Sequence, residues 1–335
     1  MTWRVLISAP YLVPLPEEFR SRLEKEGAEI ITVDVSERLS EDNLLSVIST
    51  IDAAICGDDP FTERVLGEAA RLRVISKWGT GIDSIDRDAA LKRGIQILNT
   101  PNAFTDPVAD TTLGYVLSFA RGLYAMDQAI RRGAWVKRQA IALKECTLGV
   151  VGVGNIGKAV IRRARAFGMR VIGNDPLPMA MSFLEETALE MISLHDLLRE
   201  SDFVSLHCDL NPTSFQLIGR AELAQMRPSA YLINTARGAI VDEAALVEAL
   251  RERRLAGAAL DVFEAEPLPA DSPLRSFDNC LFAPHNANSD LAAHRRVHES
   301  TIENLLKAMR EVNQDGNASP PSLLREYQSS NSGDY

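Results

Sequence analysis

Three residues far apart in the chain have complementary chemistry: Arg237, Glu266 and His285. Arg237 offers a planar fork to a carboxylate, His285 moves a proton near neutral pH, and Glu266 holds such an imidazole charged. An anion clamp with an acid and a base is sufficient for hydride chemistry at a carbonyl. Glu266 precedes Pro267, which biases it toward extended backbone, as a loop residue facing a crevice requires. Without its neighbours Glu266 reads equally well as a solvated loop acid.

A hydride carrier has its own signature. Val150-Val151-Gly152-Val153-Gly154-Asn155-Ile156-Gly157 follows an apolar run and opens a segment with Ile156, Ala159, Val160, Ala164 and Phe167 on one helical face. In such a loop Gly152 permits the tight turn, Gly154 lets the backbone approach a pyrophosphate, and Gly157 allows close helix-on-strand packing. Asp175, 18 residues after Gly157, ends the next apolar run, where a carboxylate accepts both ribose hydroxyls of an adenine dinucleotide. No Lys or Arg lies between Val171 and Leu198 to neutralise a 2'-phosphate, so the expected cofactor is NAD rather than NADP.

His207, Thr235, Arg237, Asp261 and His285 each follow a mostly apolar run. In open parallel sheets ligands bind at the carboxyl ends of strands, so one crevice can gather these side chains. Individually each also reads as a cap or turn residue, and His207 as a core histidine.

The elements that must position these groups alternate as an α/β chain. Expected strands are Arg4–Ser8, Glu29–Val33, Ala53–Cys56, Val74–Lys77 and Ile95–Asn99, then Thr147–Val151, Arg170–Asn174, Phe203–His207, Ala230–Asn234, Gly257–Val262 and Cys280–Ala283. A helix is expected with Asp106 as its N-cap and Pro107 at its first position, then a mixed-charge arm from Arg121 to Glu145 containing Trp135. From Asn313 to Tyr335 the composition predicts a disordered tail. The 335 residues suit about two domains, and 46% hydrophobic with 24% charged residues describes a folded soluble chain. A net charge of -10 disfavours nucleic acid as partner, and the scattered Cys56, Cys146, Cys208 and Cys280 support neither a disulfide framework nor a zinc knuckle. The uncharged run Cys146–Gly157 is far short of the ~20 residues of a membrane helix, and no secretory signal is recognisable, so a cytoplasmic protein is expected.

Taken together, the motifs resemble those of the D-isomer-specific 2-hydroxyacid dehydrogenases, the family of phosphoglycerate, D-lactate, glycerate and formate dehydrogenases, from Val5 to about Met309. The family's phosphate loop matches Gly152-Val153-Gly154-Asn155-Ile156-Gly157, its ribose acid Asp175, and its arginine loop Asn234-Thr235-Ala236-Arg237-Gly238. Its acidic segment matches Asp261-Val262-Phe263-Glu264-Ala265-Glu266-Pro267, and its Pro-His pair Pro284-His285. The resemblance implies that Arg237 orients the substrate carboxylate and carbonyl, that Glu266 pairs with His285, and that His285 exchanges the alcohol proton during hydride transfer. It implies that Asp261 contacts the carboxamide, and that Lys77 and the donors of Trp78-Gly79-Thr80-Gly81 meet the substrate. Asn155, Ile156, His207, Thr213, Thr235, Ala236 and Asn288 complete the expected cofactor set. Two Rossmann-like doubly wound parallel-sheet domains are implied: a discontinuous, flavodoxin-like substrate domain of residues 1–100 and 289–312, and an inserted NAD domain of residues 101–288. The arm around Trp135 is implied to help build a homodimer.

The nearest likeness is to phosphoglycerate dehydrogenases, through Gly79-Thr80-Gly81-Ile82-Asp83, but two departures bear on the substrate. Asn286-Ala287-Asn288 makes the nicotinamide side more polar than usual. Phosphoglycerate dehydrogenases place a basic residue before the glycine turn, kept here as Lys77, and another on the loop after the preceding strand. That loop here reads Gly57-Asp58-Asp59-Pro60. An unphosphorylated 2-hydroxy acid or 2-keto acid is therefore expected to be preferred, unless Asp58 and Asp59 only turn the chain and face water. A rival reading is a non-catalytic NAD-binding role, as in the C-terminal-binding protein corepressors of the same family. The acidic charge and the absence of basic stripes speak against it.

Overall fold

The computed structural model describes residues 2–315. The chain divides into two compact units, Met1–Ala103 with the segment from Asp290, and Phe104–Ser289. Among the described residues no helix is long and apolar enough to cross a membrane.

The first unit holds five parallel strands: β1 (Trp3–Ile7), β2 (Ala28–Thr32), β3 (Ala53–Cys56), β4 (Val74–Lys77) and β5 (Gln96–Leu98), in the order β2-β1-β3-β4-β5. Every residue of β3 and β4 is buried, as expected where helices cover both faces of a parallel sheet. The final helix, Leu291–Asp315, is fastened to this sheet, with Ser76 Oγ donating to the Thr301 carbonyl at 2.9 Å and Asn304 Nδ2 to the Asn99 carbonyl at 3.0 Å. Residues 313–315 thus continue a helix, where a disordered tail was expected; its remainder, 316–335, lies outside the described residues.

The second unit holds seven parallel strands: β6 (Thr147–Val151), β7 (Arg170–Asn174), β8 (Glu190–Met191), β9 (Phe203–Leu206), β10 (Tyr231–Asn234), β11 (Gly257–Leu260) and β12 (Cys280–Phe282). Their order, β12-β11-β10-β9-β6-β7-β8, is doubly wound and reverses between β6 and β9, as in dinucleotide-binding sheets. The register sets Val151 against Leu206, Leu206 against Asn234, Asn234 against Leu260 and Leu260 against Phe282. Consequently the residues that follow these strands emerge along one edge. Both sheets are Rossmann-like α/β layers.

Local expectations needed four corrections. The helix Thr105–Arg121 begins before Asp106, whose carboxylate sits in the first turn and accepts from Arg163 at 2.8 Å instead of capping. Phe167 is exposed, because the helix Asn155–Ala166 ends before it and buries Ala159, Val160, Ile161 and Ala164. The arm contains a helix, Leu123–Arg131, with no buried residue. Strand β8 was not anticipated; two residues are too few to show a period.

Candidate active site

Each candidate group in the second unit is placed by the strand end before it. After β6 the chain turns at Gly152, whose φ is +89°, and the helix Asn155–Ala166 starts. A Cβ on Gly152 would lie 2.4 Å from the Cys208 nitrogen, and one on Gly157 2.2 Å from the Gly152 carbonyl oxygen. Both glycines are therefore required by backbone packing. Gly154 differs: nothing lies within 4 Å of its added Cβ, which leaves open space before the helix N-terminus. Asp175 is half-buried and accepts from the Val153 nitrogen at 2.7 Å and the Leu177 nitrogen at 2.8 Å, which ties the end of β7 to the glycine turn.

Beyond β9, His207 Nε2 meets Ser205 Oγ at 2.8 Å, while its Nδ1 is enclosed without a partner among the described residues. The residue as a whole keeps some exposure, but burial of the ring drops its pKa to about 3, so it is neutral at physiological pH. Thr213 is exposed on the following turn, with its hydroxyl on Asn211 Oδ1 at 2.6 Å. Thr235, after β10, contacts the Thr112 hydroxyl at 3.2 Å.

The Arg237 turn is organised by Asn234, whose Oδ1 accepts from the Ala236 nitrogen at 3.0 Å while its Nδ2 donates to the Arg237 carbonyl at 2.8 Å. Gly238 then passes so close to the next loop that a Cβ would come within 2.0 Å of the Phe263 carbonyl oxygen. This close approach brings the Arg237 turn against the 261–266 loop. On that loop Glu266 Oε1 accepts from the Phe263 nitrogen at 2.9 Å, and Oε2 lies 3.0 Å from His285 Nδ1. Both side chains are only about one-fifth exposed, which keeps much of the solvent off the pair.

His285 has a φ of +50°, a strained left-handed conformation for a residue with a Cβ. Asp261 holds it there. The His285 nitrogen donates to the Asp261 carbonyl at 2.7 Å, and the two carboxylate oxygens accept from the Asn286 and Ala287 nitrogens, each at 2.9 Å. Burial pushes the Asp261 carboxyl above the ordinary carboxylate range, opposed by these backbone donors. Asn286 is exposed, and Asn288 encloses its Oδ1 without a partner among the described residues.

In the first unit Lys77 ends β4 almost completely buried, and its Nζ lies 3.0 Å from Asp58 Oδ1 and donates to the Trp78 carbonyl at 3.2 Å. Asp59 is fully buried, accepting from Ser8 Oγ at 2.5 Å and the Leu39 nitrogen at 2.6 Å. The reading in which both acids face water is corrected: Asp58 pairs with Lys77, and Asp59 is the buried acceptor for the Ser8 hydroxyl and the Leu39 nitrogen. The turn Gly79-Thr80-Gly81 is pinned to the end of β5, with Gly79 donating to Thr100 Oγ1 at 3.2 Å and Thr80 Oγ1 to the Thr100 carbonyl at 3.0 Å.

Ser205 was missing from the sequence-derived site, and Asn234, Gly238 and Asp58 entered it only as members of their loops, without a role of their own. A buried asparagine closing an apolar run was the available signal for Asn234, and Ser205 lies two residues before His207, whereas Gly238 and Asp58 act through neighbours distant in sequence.

A dinucleotide-type sheet carrying a shielded acid–base pair beside an arginine turn defines a hydride-transfer protein, and comparison gives the family. The D-isomer specific 2-hydroxyacid dehydrogenase, NAD binding domain, matches residues 113–287. A glyoxylate reductase of Korarchaeum cryptofilum is 36% identical over 323 residues, covering 94% of this chain and 92% of that protein. A D-3-phosphoglycerate dehydrogenase of Methanocaldococcus jannaschii is 36% identical over 318 residues, and although 93% of this chain is covered, it spans only 59% of that relative. The crystal structure of a D-lactate dehydrogenase from Aquifex aeolicus complexed with NAD and lactic acid superposes with a TM-score of 0.82 at 27% identity, covering 95% of this chain and 100% of that one. The chain belongs to the D-isomer specific 2-hydroxyacid dehydrogenase family. It is an NAD-dependent oxidoreductase.

The residues present fit that cofactor. Open space above Gly154, the N-terminus of a twelve-residue helix with no side-chain cap, and the enclosed Oδ1 of Asn288, without a partner among the described residues, are features that a dinucleotide would use.

Proposed function

We propose that the protein reduces small, unphosphorylated 2-keto acids of the glyoxylate or hydroxypyruvate kind with NADH, and oxidises the matching D-2-hydroxy acids in reverse. The observation that carries this reading is the Lys77–Asp58 pair. A phosphorylated substrate brings roughly two negative charges beyond its carboxylate. Lys77, the basic side chain that ends β4 at the glycine turn, is buried and already paired at 3.0 Å, so a phosphate there would have to break an ion pair and meet Asp58. Relatives named for glyoxylate and for 3-phosphoglycerate resemble the chain to the same degree, which leaves this local charge balance as the discriminating feature.

In the proposed mechanism Arg237 takes the substrate carboxylate and polarises the C2 carbonyl. The backbone donors of the 79–81 turn are proposed as the first unit's own carboxylate-binding group. Bound NADH supplies the hydride for C2. His285, held at Nδ1 by Glu266, passes a proton to the carbonyl oxygen as it becomes the alcohol. Glu266 balances the imidazolium charge, and Asp261 keeps the His285 backbone in its left-handed position. Gly152, Gly154, Asn155, Ile156 and Gly157 take the pyrophosphate, with Asp175 on the ribose hydroxyls. His207, Thr213, Thr235, Ala236 and Asn288 line the remaining cofactor path in this reading.

The test is a panel of glyoxylate, hydroxypyruvate and 3-phosphohydroxypyruvate with NADH. The expected kcat/KM for the better unphosphorylated acid exceeds that for the phosphorylated one by at least about tenfold, the cost of ~1.4 kcal/mol for disturbing one ion pair. A preference for the phosphorylated acid overturns the reading, and no turnover of any acid would favour the non-catalytic alternative. The same proposal places the protein in the cytoplasm as a homodimer joined through the exposed apolar arm of Leu123, Tyr124, Ile130 and Trp135.

A further inference from the structure

We propose that His298 is a positioning residue for the substrate-binding turn, acting through the indole of Trp78 and only while its imidazole is neutral. The inference rests on the reading above that the 79–81 turn holds the substrate carboxylate.

Trp78 links the last residue of β4 to Gly79 and is 4% exposed. Its Nε1 donates to His298 Nδ1 at 2.8 Å. An indole N–H is a donor only, so His298 must present a lone pair at Nδ1 and carry its proton on Nε2. Tyr11 stacks on the indole at 4.5 Å with an interplanar angle of 23°, and His294 meets it edge-on at 5.3 Å and 79°. The stacked Tyr11 and the acceptor on His298 together leave the indole one orientation. Gly79, the next residue, has a φ of +117° and is held on its far side by Thr100. The turn is therefore fastened at one end to β5 and at the other, through Trp78, to the final helix.

Protonation of His298 would set two N–H groups against each other at this contact and leave the enclosed indole donor unpaired. The groups facing His298 keep it neutral at physiological pH. Burial lowers its pKa and His294, one turn earlier on the same helix, lowers it further. Glu299 works in the opposite direction but is itself engaged by Arg22 of the helix Glu17–Lys25 at 2.8 Å. The other rings against His298, Phe19 of that helix and Trp78 itself, carry no charge. Acid would thus release the turn, and a bound carboxylate would lose a fixed partner.

The test measures tryptophan emission and keto-acid kinetics on the full chain from about pH 8 to about pH 5. Subtracting the emission of Trp78→Phe isolates Trp78 from Trp3 and Trp135. The expected result is a one-step change of Trp78 emission below about pH 6.5. KM for glyoxylate should rise roughly tenfold over the same range, the effect of one buried donor left unpaired, with kcat changing less. His298→Gln, whose amide oxygen still accepts, should abolish the emission step and flatten that rise in KM; His298→Leu should raise KM at every pH. Gly81→Val reports on the turn independently. If it leaves KM unchanged, the carboxylate reading fails and the inference falls with it. If it raises KM while Trp78 emission is flat with pH, or while His298→Leu leaves KM unchanged, the positioning role alone is overturned.

Discussion

At the scale of single residues, the decisive contact is His285 Nδ1 to Glu266 Oε2 at 3.0 Å. A carboxylate at that distance favours the imidazolium, the form that donates in keto-acid reduction. Glu266→Gln removes the charge while retaining an acceptor for the Phe263 nitrogen. The pH above which reduction falls should then move down, read from kcat/KM against pH. An unmoved limb would break the assigned pair. Asp175 receives the Val153 nitrogen at 2.7 Å, and in the proposed reading its charge also excludes a 2'-phosphate. Asp175→Asn keeps the first and cancels the second. KM for NADH should rise about tenfold, the loss of a charged hydrogen bond of ~1.5 kcal/mol, and the preference over NADPH should narrow. The chemical types at these positions were legible in the sequence because arginine, glutamate and histidine have few alternatives for such work. Lys77 was legible only in part. Its position was found, but its burial against Asp58 depends on how two neighbouring strands end.

Among the elements, the glycines divide by what a Cβ would meet. Gly154 has a φ of -72° and nothing within 4 Å, so Gly154→Ala should fold with unchanged Tm and raise KM for NADH, the methyl occupying the cofactor's space. Gly238→Ala has no such room. Its Cβ would lie 1.9 Å from the Phe263 carbonyl carbon, so the Arg237 and Glu266 loops must separate. Overpacking of this kind costs about 1–3 kcal/mol, and displacing both loops should lower kcat by roughly a hundredfold. Thermal denaturation with steady-state kinetics on both variants checks the contrast; equal behaviour would contradict it. Most strands were readable because parallel strands buried on both faces are continuous apolar runs, as at Ala53–Cys56 and Val74–Lys77. The start of the Thr105–Arg121 helix was misread, since Asp106 has a capping residue's chemistry but is drawn to Arg163 of another helix.

For the molecule as a whole, the helix Leu123–Arg131 buries none of its residues, and Trp135 just beyond it is 84% exposed. Apolar surface of this extent is expected to be covered by a second copy. Sedimentation should find a dimer, and Ile130→Glu combined with Trp135→Glu should shift it to monomer; a monomeric parent chain would refute the expectation.

What the sequence by itself determined is the set of local instructions: alternating apolar runs that must become a parallel α/β fold, a glycine pattern with one workable backbone path, and the arginine, glutamate and histidine that follow those runs. These are legible because they depend on side-chain chemistry and on neighbours within a few residues. Only the tertiary structure decided that Asp261 spends both carboxylate oxygens on holding His285 in a left-handed conformation, that Gly238 must be bare to let two loops touch, and that Asp58 pairs with the buried Lys77. Each of these is a distance between groups that the chain brings together only after the sheets have formed, and no periodicity or composition encodes such a distance.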